Sequence, residues 1–105
     1  MTISYVEVEK MTLTKQCKAL GSAIRVAIID LLRDRGTMTV QDIADEFIGS
    51  PTMDVSVRRH LRILCDAGLC DRVMIGREFF YSVCPTEARQ LSYKITELFS
   101  RTGTL

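Results

Sequence analysis

Residues 39–81 decide the fold, because they predict two helices and a hairpin in a fixed order. The decisive segments are Thr39-Val40-Gln41-Asp42-Ile43-Ala44, Ser56-Val57-Arg58-Arg59-His60-Leu61, Gly68-Leu69, Gly76-Arg77 and Phe80-Tyr81. The second helix is apolar on one side and rich in arginine on the other, a form that fits the major groove of DNA. A hairpin behind it can lie against the neighbouring DNA backbone. The pattern therefore predicts a DNA-binding unit.

Hydrophobic periodicity predicts two further helices before this segment. Over residues 10–20, apolar side chains recur at helical spacing. They are Leu13, Cys17 and Leu20. Ser22 can cap a second helix, which we expect to end at Gly36. Residues 1–9 are short and mixed in character, and we expect them to form an N-terminal arm.

The C-terminal part predicts a hairpin followed by one more helix. Residues 69–75 and 78–84 are two strand-like runs, and between them Gly76-Arg77 has glycine at the first central position, as a type II′ turn requires. Pro85 suits the first turn of a last helix over residues 86–100. The predicted order is α-α-α-α-β-β-α. This is a mainly α fold with a small β-hairpin, a winged helix-turn-helix with extra helices at both ends.

Length and charge set limits on the class of protein. A chain of 105 residues predicts a single domain, residues 1–105, and a net charge of +1 argues against a polybasic binder. Any affinity for nucleic acid must come from where the charges lie. No apolar run approaches the roughly 20 residues of a membrane helix, and no secretory signal is present. We expect a cytoplasmic protein whose four cysteines are thiols, with no membrane partner.

The predicted DNA contacts lie on the arginine-rich helix, the turn before it and the hairpin tip. They are Gln41, Thr52, Ser56, Arg58, Arg59, His60, Arg62 and Arg77. We expect Arg58 and Ser56 to contact bases, and Arg59 and His60 to contact either the backbone or the bases. The sequence predicts equally well that His60 forms a hydrogen bond within the fold instead of contacting DNA. Capping is the better explanation of Thr39.

The terminal helices carry apolar stripes that predict a two-fold dimer. The expected interface residues are Leu13, Cys17, Leu91, Ile95, Leu98 and Phe99. The same stripes can pack on their own domain, and Cys17 and Cys65 are then small core residues. A dimer would present two recognition helices about one DNA turn apart.

No nucleophile–base pair, glycine-rich phosphate loop or paired carboxylates are found in the sequence, so we predict neither an enzyme nor a cofactor. His60 is the only histidine, which excludes a histidine-rich metal site within one subunit. Cys65, Cys70 and Cys84 leave open a redox or thiophilic-metal sensor, since arginines nearby would favour a thiolate.

Three segments are similar to a known family. They are Lys18-Ala19-Leu20-Gly21-Ser22-Ala23-Ile24-Arg25 through Leu31-Leu32, Arg59-His60-Leu61-Arg62-Ile63-Leu64 followed by Ala67-Gly68-Leu69, and Gly76-Arg77 with Phe80-Tyr81. They resemble the entry segment, the recognition helix with its exit, and the wing of the ArsR/SmtB repressors of bacteria and archaea. The resemblance covers roughly residues 15–100. It implies a homodimer, joined through its first and last helices, that represses a promoter until an effector binds.

The chain departs from the family pattern in three places. The turn over residues 48–53 is about three residues longer than usual. Ser22-Ala23 replaces the frequent Asp-Pro before the arginine of the second helix. The third helix has no cysteine and the last helix has no histidine, so the usual sensor positions are missing and the effector is unknown.

These observations predict a homodimeric repressor that binds double-stranded operator DNA. One alternative is a winged helix that binds other proteins, although such modules lack a basic face. The other is the cysteine-based sensor, which is a variant of the same repressor.

Overall fold

The computed structural model describes the backbone of residues 5–47 and 53–100, and the side chains of residues 10–47 and 56–100. In chain order the elements are α1 (Tyr5–Ala19), α2 (Ala23–Arg35), β1 (Met38–Thr39), α3 (Val40–Glu46), α4 (Met53–Asp66), β2 (Cys70–Ile75), β3 (Glu78–Val83) and α5 (Pro85–Ser100). The order confirms the mainly helical winged fold. It adds one short strand, β1, that the sequence did not predict.

Three of the helix ends follow the local chemistry of the sequence. The Ser22 Oγ accepts a hydrogen bond from the Arg25 N–H and caps α2. Thr39 and Asp42 form a reciprocal capping box at the start of α3, with distances of 3.1 and 3.2 Å. Gly36 ends α2 with a φ of +81°, a conformation that favours glycine.

Helix α1 begins earlier than the sequence predicted. It starts at Tyr5, so residues 5–9 are helical and the arm expected over residues 1–9 is wrong for that part. Residues 1–4 lie outside the described residues. Among the helices that the structure describes, none has the length and apolar character that crossing a bilayer requires.

The sheet is antiparallel, in the order β1-β3-β2. Ile75 pairs with Glu78 and leaves Gly76-Arg77 as a two-residue turn. Gly76 has a φ of +66°, whereas Arg77, like every other described residue except glycine, has a negative φ. This combination confirms the type II′ turn, since a type I′ turn needs positive φ at both positions.

The core lies beneath α4. Val57, Leu61 and Leu64 of this helix are fully buried, together with Ile28 of α2 and Ile43 of α3. Burying each such side chain contributes about 1.5–3 kcal/mol. This packing fixes which side of α4 faces outward.

A buried polar side chain joins α1 to two other helices. Gln16 is 1% exposed, and its Nε2 donates to the Ala67 carbonyl oxygen at 3.3 Å and to Glu87 Oε2 at 3.1 Å. Its neighbour Cys17 is exposed, so the interpretation of Cys17 as a core residue is wrong. Leu13 and Leu20 of the predicted stripe do pack against the core, beside the buried Gln16 and Ala19.

Candidate nucleic-acid interface

The outward face of α4 carries three exposed arginines, Arg58, Arg59 and Arg62. Positions 58 and 62 are one turn apart, and so are positions 59 and 62, so the three side chains emerge on one side of the helix. The buried Leu61 holds the opposite side against the core. These three arginines are exposed, as the sequence predicted.

None of these arginines, nor Arg77, forms an ion pair with any described residue. The arginines at the end of α2 differ, because Arg33 pairs with Asp30 and Asp34, and Arg35 pairs with Glu46. The positive charge on α4 and the hairpin is therefore not neutralised by the described part of the chain. Such a surface attracts phosphates.

A cleft of about 300 Å³ lies between α3, α4 and the hairpin tip. Its lining residues are Thr39, Val40, Gln41, Arg58, Arg77, Glu78 and Phe79. Arg58 and Arg77 come from different elements and meet at this cleft. Guanidinium groups from two sides suit a phosphate group, which accepts several charge-assisted hydrogen bonds. Glu78 is the one carboxylate among the lining residues.

The remaining predicted polar contacts have mixed positions. Gln41 is exposed at the cleft, where its Nε2 donates to Asp45 Oδ1 at 2.7 Å. Ser56 is half-buried in the second turn of α4. Thr39 has the predicted capping role. Thr52 lies outside the described residues.

His60 is partly exposed on α4 and hydrogen-bonded within the fold. Its Nδ1 lies 3.1 Å from the Arg25 Nη1. Partial burial, followed by the positive charges of Arg25 and Arg59, lowers the pKa of His60 below its ordinary value. These surroundings favour the neutral imidazole over the charged form.

Arg25 is the residue near this face that the sequence analysis missed. Its Nε donates to the Ala19 carbonyl oxygen at 2.5 Å, and its Nη2 donates to the Lys18 carbonyl oxygen at 3.3 Å. Arg25 thus joins the end of α1 to His60 on α4. The sequence feature that could have indicated this role is an arginine in the first turn of α2, three residues after the capping serine.

The six predicted interface residues do not share one exposed face. Leu91 is buried in its own domain, and Leu13 and Ile95 are half-buried against that core. Cys17, Leu98 and Phe99 are exposed, the last two by 53% and 68%. The exposed subset lies in the last turns of α1 and α5.

Burial stabilises the protonated thiols of Cys65 and Cys70. Burial, with smaller contributions from the charges of Cys65, Asp71 and Cys84, raises the pKa of Cys70 to about 12. Burial also raises the pKa of Cys65, and the opposing charge of Arg72 is too weak to reverse this. The expectation that arginines would ease thiolate formation is therefore wrong for these two. Within residues 10–47 and 56–100, no three His, Cys, Asp or Glu side chains form a group able to hold a metal ion.

Comparison with known proteins identifies the fold and gives a family match for part of the chain. Residues 22–71 match the family model for the bacterial regulatory proteins of the arsR family. None of the curated proteins matches the sequence significantly.

Solved structures are similar over nearly the whole chain. An ArsR-like transcriptional regulator from Rhodococcus sp. RHA1 has a TM-score of 0.77 and 22% identity, over 89% of this chain and 84% of that one. A possible transcriptional regulator for arsenical resistance has a TM-score of 0.69 and 27% identity, over 81% and 84%. The homodimeric winged helix-turn-helix DNA-binding domain of a possible ArsR-family regulator from Mycobacterium bovis has a TM-score of 0.72 and 19% identity, over 100% and 93%.

The family match covers the helix-turn-helix segment that carries the exposed arginines of α4, and the shared fold extends through the hairpin to α5. Over residues 22–71 the chain is similar to the arsR family of bacterial regulatory proteins, and over nearly its whole length it has the winged helix-turn-helix fold of ArsR-like regulators.

Proposed function

We propose that the protein is a homodimeric repressor that binds an inverted-repeat operator through α4 and the β2–β3 hairpin. The observation that carries this proposal is the set of exposed arginines without an acidic partner among the described residues. They are Arg58, Arg59, Arg62 and Arg77. A winged helix that binds only proteins would not need this unneutralised charge. The family consists of transcriptional regulators and not of enzymes.

In this proposal α4 enters the major groove. Arg58 and Ser56 lie toward the start of the helix, where side chains of recognition helices reach base edges. A bidentate contact from Arg58 to guanine contributes about 1–3 kcal/mol of discrimination. Arg59 and Arg62 neutralise phosphates, and Thr52 and Gln41 contact the backbone. Arg77, at the hairpin tip, contacts the DNA at the flank of the operator.

The dimer follows from the exposed apolar residues of the terminal helices. Leu98 and Phe99 of α5 and Cys17 of α1 would meet their counterparts across a two-fold axis. The similar domain from Mycobacterium bovis is homodimeric, which supports this part of the proposal. Two recognition helices would then lie about 34–36 Å apart, one turn of DNA. The whole chain, residues 1–105, acts as one domain in the cytoplasm.

The DNA-binding surface is tested by removing two arginines at a time. We expect Arg58→Ala with Arg59→Ala to weaken operator binding by roughly 100-fold or more, since each loses a charge-assisted contact with DNA. The slope of log K against log salt should become shallower by about 2 per dimer, because each subunit loses the phosphate contact of Arg59. Fluorescence anisotropy with labelled duplex DNA at several salt concentrations measures both quantities.

A matched control removes the same charge elsewhere. Arg33→Ala with Arg35→Ala deletes two exposed arginines that already have acidic partners. We expect little change in operator affinity. Equal losses in the two double variants would show that only net charge matters, and would refute the assignment of α4.

The dimer is tested by placing a charge on the exposed end of α5. Leu98→Glu should convert the protein to a monomer in sedimentation velocity, because it would bury an unpaired carboxylate at the interface. Met74→Glu on β2 is the control, since Met74 is exposed to a similar degree, 56% against 53%. A dimer that survives Leu98→Glu unchanged would contradict the proposed interface.

A further inference from the structure

An apolar groove of about 360 Å³ lies between the end of α1, helices α2 and α5, and the base of the β2–β3 hairpin. Leu20 follows α1, Ile29 belongs to α2, and Leu69 and Val83 lie at the base of the hairpin. Small-molecule sites in proteins have volumes of about 300–1,000 Å³. At the about 30 Å³ that one water-sized group occupies, this groove would hold roughly a dozen non-hydrogen atoms. It is thus large enough for one small organic molecule.

Helix α5 contributes the remaining described residues of the lining. Ala88, Leu91, Ser92, Ile95 and Thr96 recur at the spacing of one helical face. Leu91 is buried, whereas Ala88, Ser92 and Thr96 are exposed, so the groove is open to solvent along α5. A small molecule can therefore enter the groove without any opening of the fold.

The groove carries no charge. None of the described residues that line it is acidic or basic. The charged residues Arg89, Lys94 and Glu97 of the same helix line a separate depression instead. A charged ligand would lose its hydration in the groove without gaining a partner of opposite charge. The lining therefore selects against metal ions, carboxylates and phosphates.

Two hydroxyl groups supply the polarity of the groove. Ser92 and Thr96 are one turn apart and are neighbours on the surface of α5. Neither hydroxyl makes a hydrogen bond to a described residue, so both are available to a ligand. A mostly apolar site with a few well-placed polar groups suits a mostly apolar molecule that has one hydrogen-bonding group.

The groove is connected to the proposed DNA-binding surface through the buried Leu69. The Leu69 N–H donates to the Leu64 carbonyl oxygen of α4 at 3.0 Å, and the Leu69 carbonyl oxygen accepts from the Cys84 N–H at 2.9 Å. Leu69 thus joins the recognition helix to the end of the hairpin. A ligand that moves Leu69 away from α5 would shift both elements.

We propose that the groove between α2 and α5 binds the effector of this protein, an uncharged and mainly apolar small molecule that weakens the affinity for operator DNA. The class of ligand follows from the lining, and the effect on DNA rests on the proposed function. The exposed residues assigned to the dimer interface, Cys17, Leu98 and Phe99, are not among the described residues that line the groove.

A pair of probes tests the class of ligand. Cinnamyl alcohol is uncharged and ends in a hydroxyl, and cinnamate has nearly the same shape but carries a carboxylate. In methyl NMR of the full-length protein, the alcohol should cause saturable shifts at Ile29, Leu69, Val83 and Ile95, with a dissociation constant on the order of 1 mM. Cinnamate should bind at least about tenfold more weakly.

Three variants test the location of the site. Ala88→Phe adds a ring on the exposed side of the groove and should weaken binding of the alcohol by about tenfold or more, because the ring occupies the ligand's space. Gln90→Phe is the matched control, since Gln90 lines the other depression on α5, and it should bind the alcohol as the wild type does. Ser92→Ala with Thr96→Val should remove a preference of about threefold to tenfold for cinnamyl alcohol over propenylbenzene, which lacks the hydroxyl.

The effect on DNA is measured by fluorescence anisotropy with labelled operator. Saturating cinnamyl alcohol should weaken operator binding of the wild type by about threefold or more, since a ligand shifts an equilibrium only by its differential affinity for the two states. The operator affinity of Ala88→Phe should not respond to the alcohol. Should Ala88→Phe fail to fold, Thr96→Phe replaces it, because Thr96 is also exposed along the groove.

Several outcomes would overturn the proposal. Absence of shifts at the lining methyl groups, equal binding of cinnamate, or undiminished binding in the folded Phe variant would remove the site. Binding of the alcohol with no change in operator affinity would remove the effector role. Binding confined to the monomeric Leu98→Glu variant would mean that the partner subunit covers the groove in the dimer. If the wild type binds no duplex at all, the proposed function fails, and the NMR titration still decides whether the groove binds an uncharged ligand.

Discussion

Two groups of arginines on this protein have the same chemistry and different surroundings. Arg33 and Arg35 end α2 and are exposed, but Arg33 lies 3.0 Å from Asp30 and 3.2 Å from Asp34, and Arg35 pairs with Glu46. Arg58 and Arg62 on α4 have no such partner among the described residues. An arginine-rich helix face is therefore informative only when the nearby carboxylates are counted as well. The absence of neutralising partners distinguishes a phosphate-binding surface from an ordinary solvated one.

The largest expected effect is a loss of operator affinity when an arginine of α4 is removed. It tests which of these arginines contact bases and which contact phosphates. Arg58→Ala should weaken operator binding by about 5-fold to 150-fold and reduce the preference for operator over random duplex. Arg62→Ala should weaken binding to operator and to random duplex by about the same factor. That factor should be smaller than the loss of operator affinity in Arg58→Ala. Competition titrations with the two duplexes at one salt concentration measure this difference. If Arg58→Ala lowered both affinities equally, Arg58 would be a backbone contact.

A third kind of arginine gives the next prediction. Arg72 lies over the ring of Phe79, 4.4 Å from its centroid, and near Cys65, yet burial outweighs its charge at that thiol. Raised pKa values leave little thiolate at pH 8, so Cys65 and Cys70 should react with iodoacetamide at least about tenfold more slowly than the exposed Cys17. Mass spectrometry of timed, quenched samples gives the three rates. Fast alkylation of Cys65 would show that Arg72 activates it, and would restore the cysteine-sensor alternative.

The smallest expected effect is on the free energy of unfolding. It should fall when an arginine at the end of α2 is removed and rise when an arginine of α4 is removed. Arg35→Ala removes the ion pair with Glu46 and should lower the free energy of unfolding by about 0.2–1 kcal/mol. Arg62→Ala relieves repulsion from Arg58 and Arg59, one turn away, and should raise it by about 0.2–0.5 kcal/mol. Urea denaturation of the two variants under the same conditions measures the difference. A loss of stability in Arg62→Ala would mean that its side chain supports the fold.

The sequence predicted what local periodicity and turn chemistry determine. The burial of Leu61 and Leu64, the capping box of Thr39 and the II′ turn at Gly76 all follow from residues close in the chain. The outward arginines of α4 follow from the same periodicity, because the apolar side of that helix is unambiguous.

Features that depend on distant partners were missed. Strand β1 has only Met38 and Thr39, and it exists because they pair with Tyr81 and Phe80, about forty residues later. On α1 the sequence placed Cys17 inward, whereas the polar Gln16 next to it is the buried residue and bonds to Ala67 and Glu87. A hydrophobic pattern gives no signal for a buried amide.

The contact between Arg25 and His60 was missed for the same reason. The two residues are 35 positions apart, and the bond needs the end of α1 to hold the guanidinium in place. The sequence alone left the role of His60 open between the fold and DNA. The structure shows the first, since Nδ1 of His60 is hydrogen-bonded to Arg25.

The buried Gln16 has a consequence for the DNA as well as for the protein. It bonds α1 both to Ala67, just after α4, and to Glu87 of α5, so a movement of the terminal helices relative to the recognition helix would break these hydrogen bonds. In the proposed dimer these bonds oppose a change in the distance between the two recognition helices, and the duplex has to bend or twist to match that distance. An operator whose half-sites are one base pair closer together or further apart than this distance should bind more weakly, because deforming its duplex costs elastic energy.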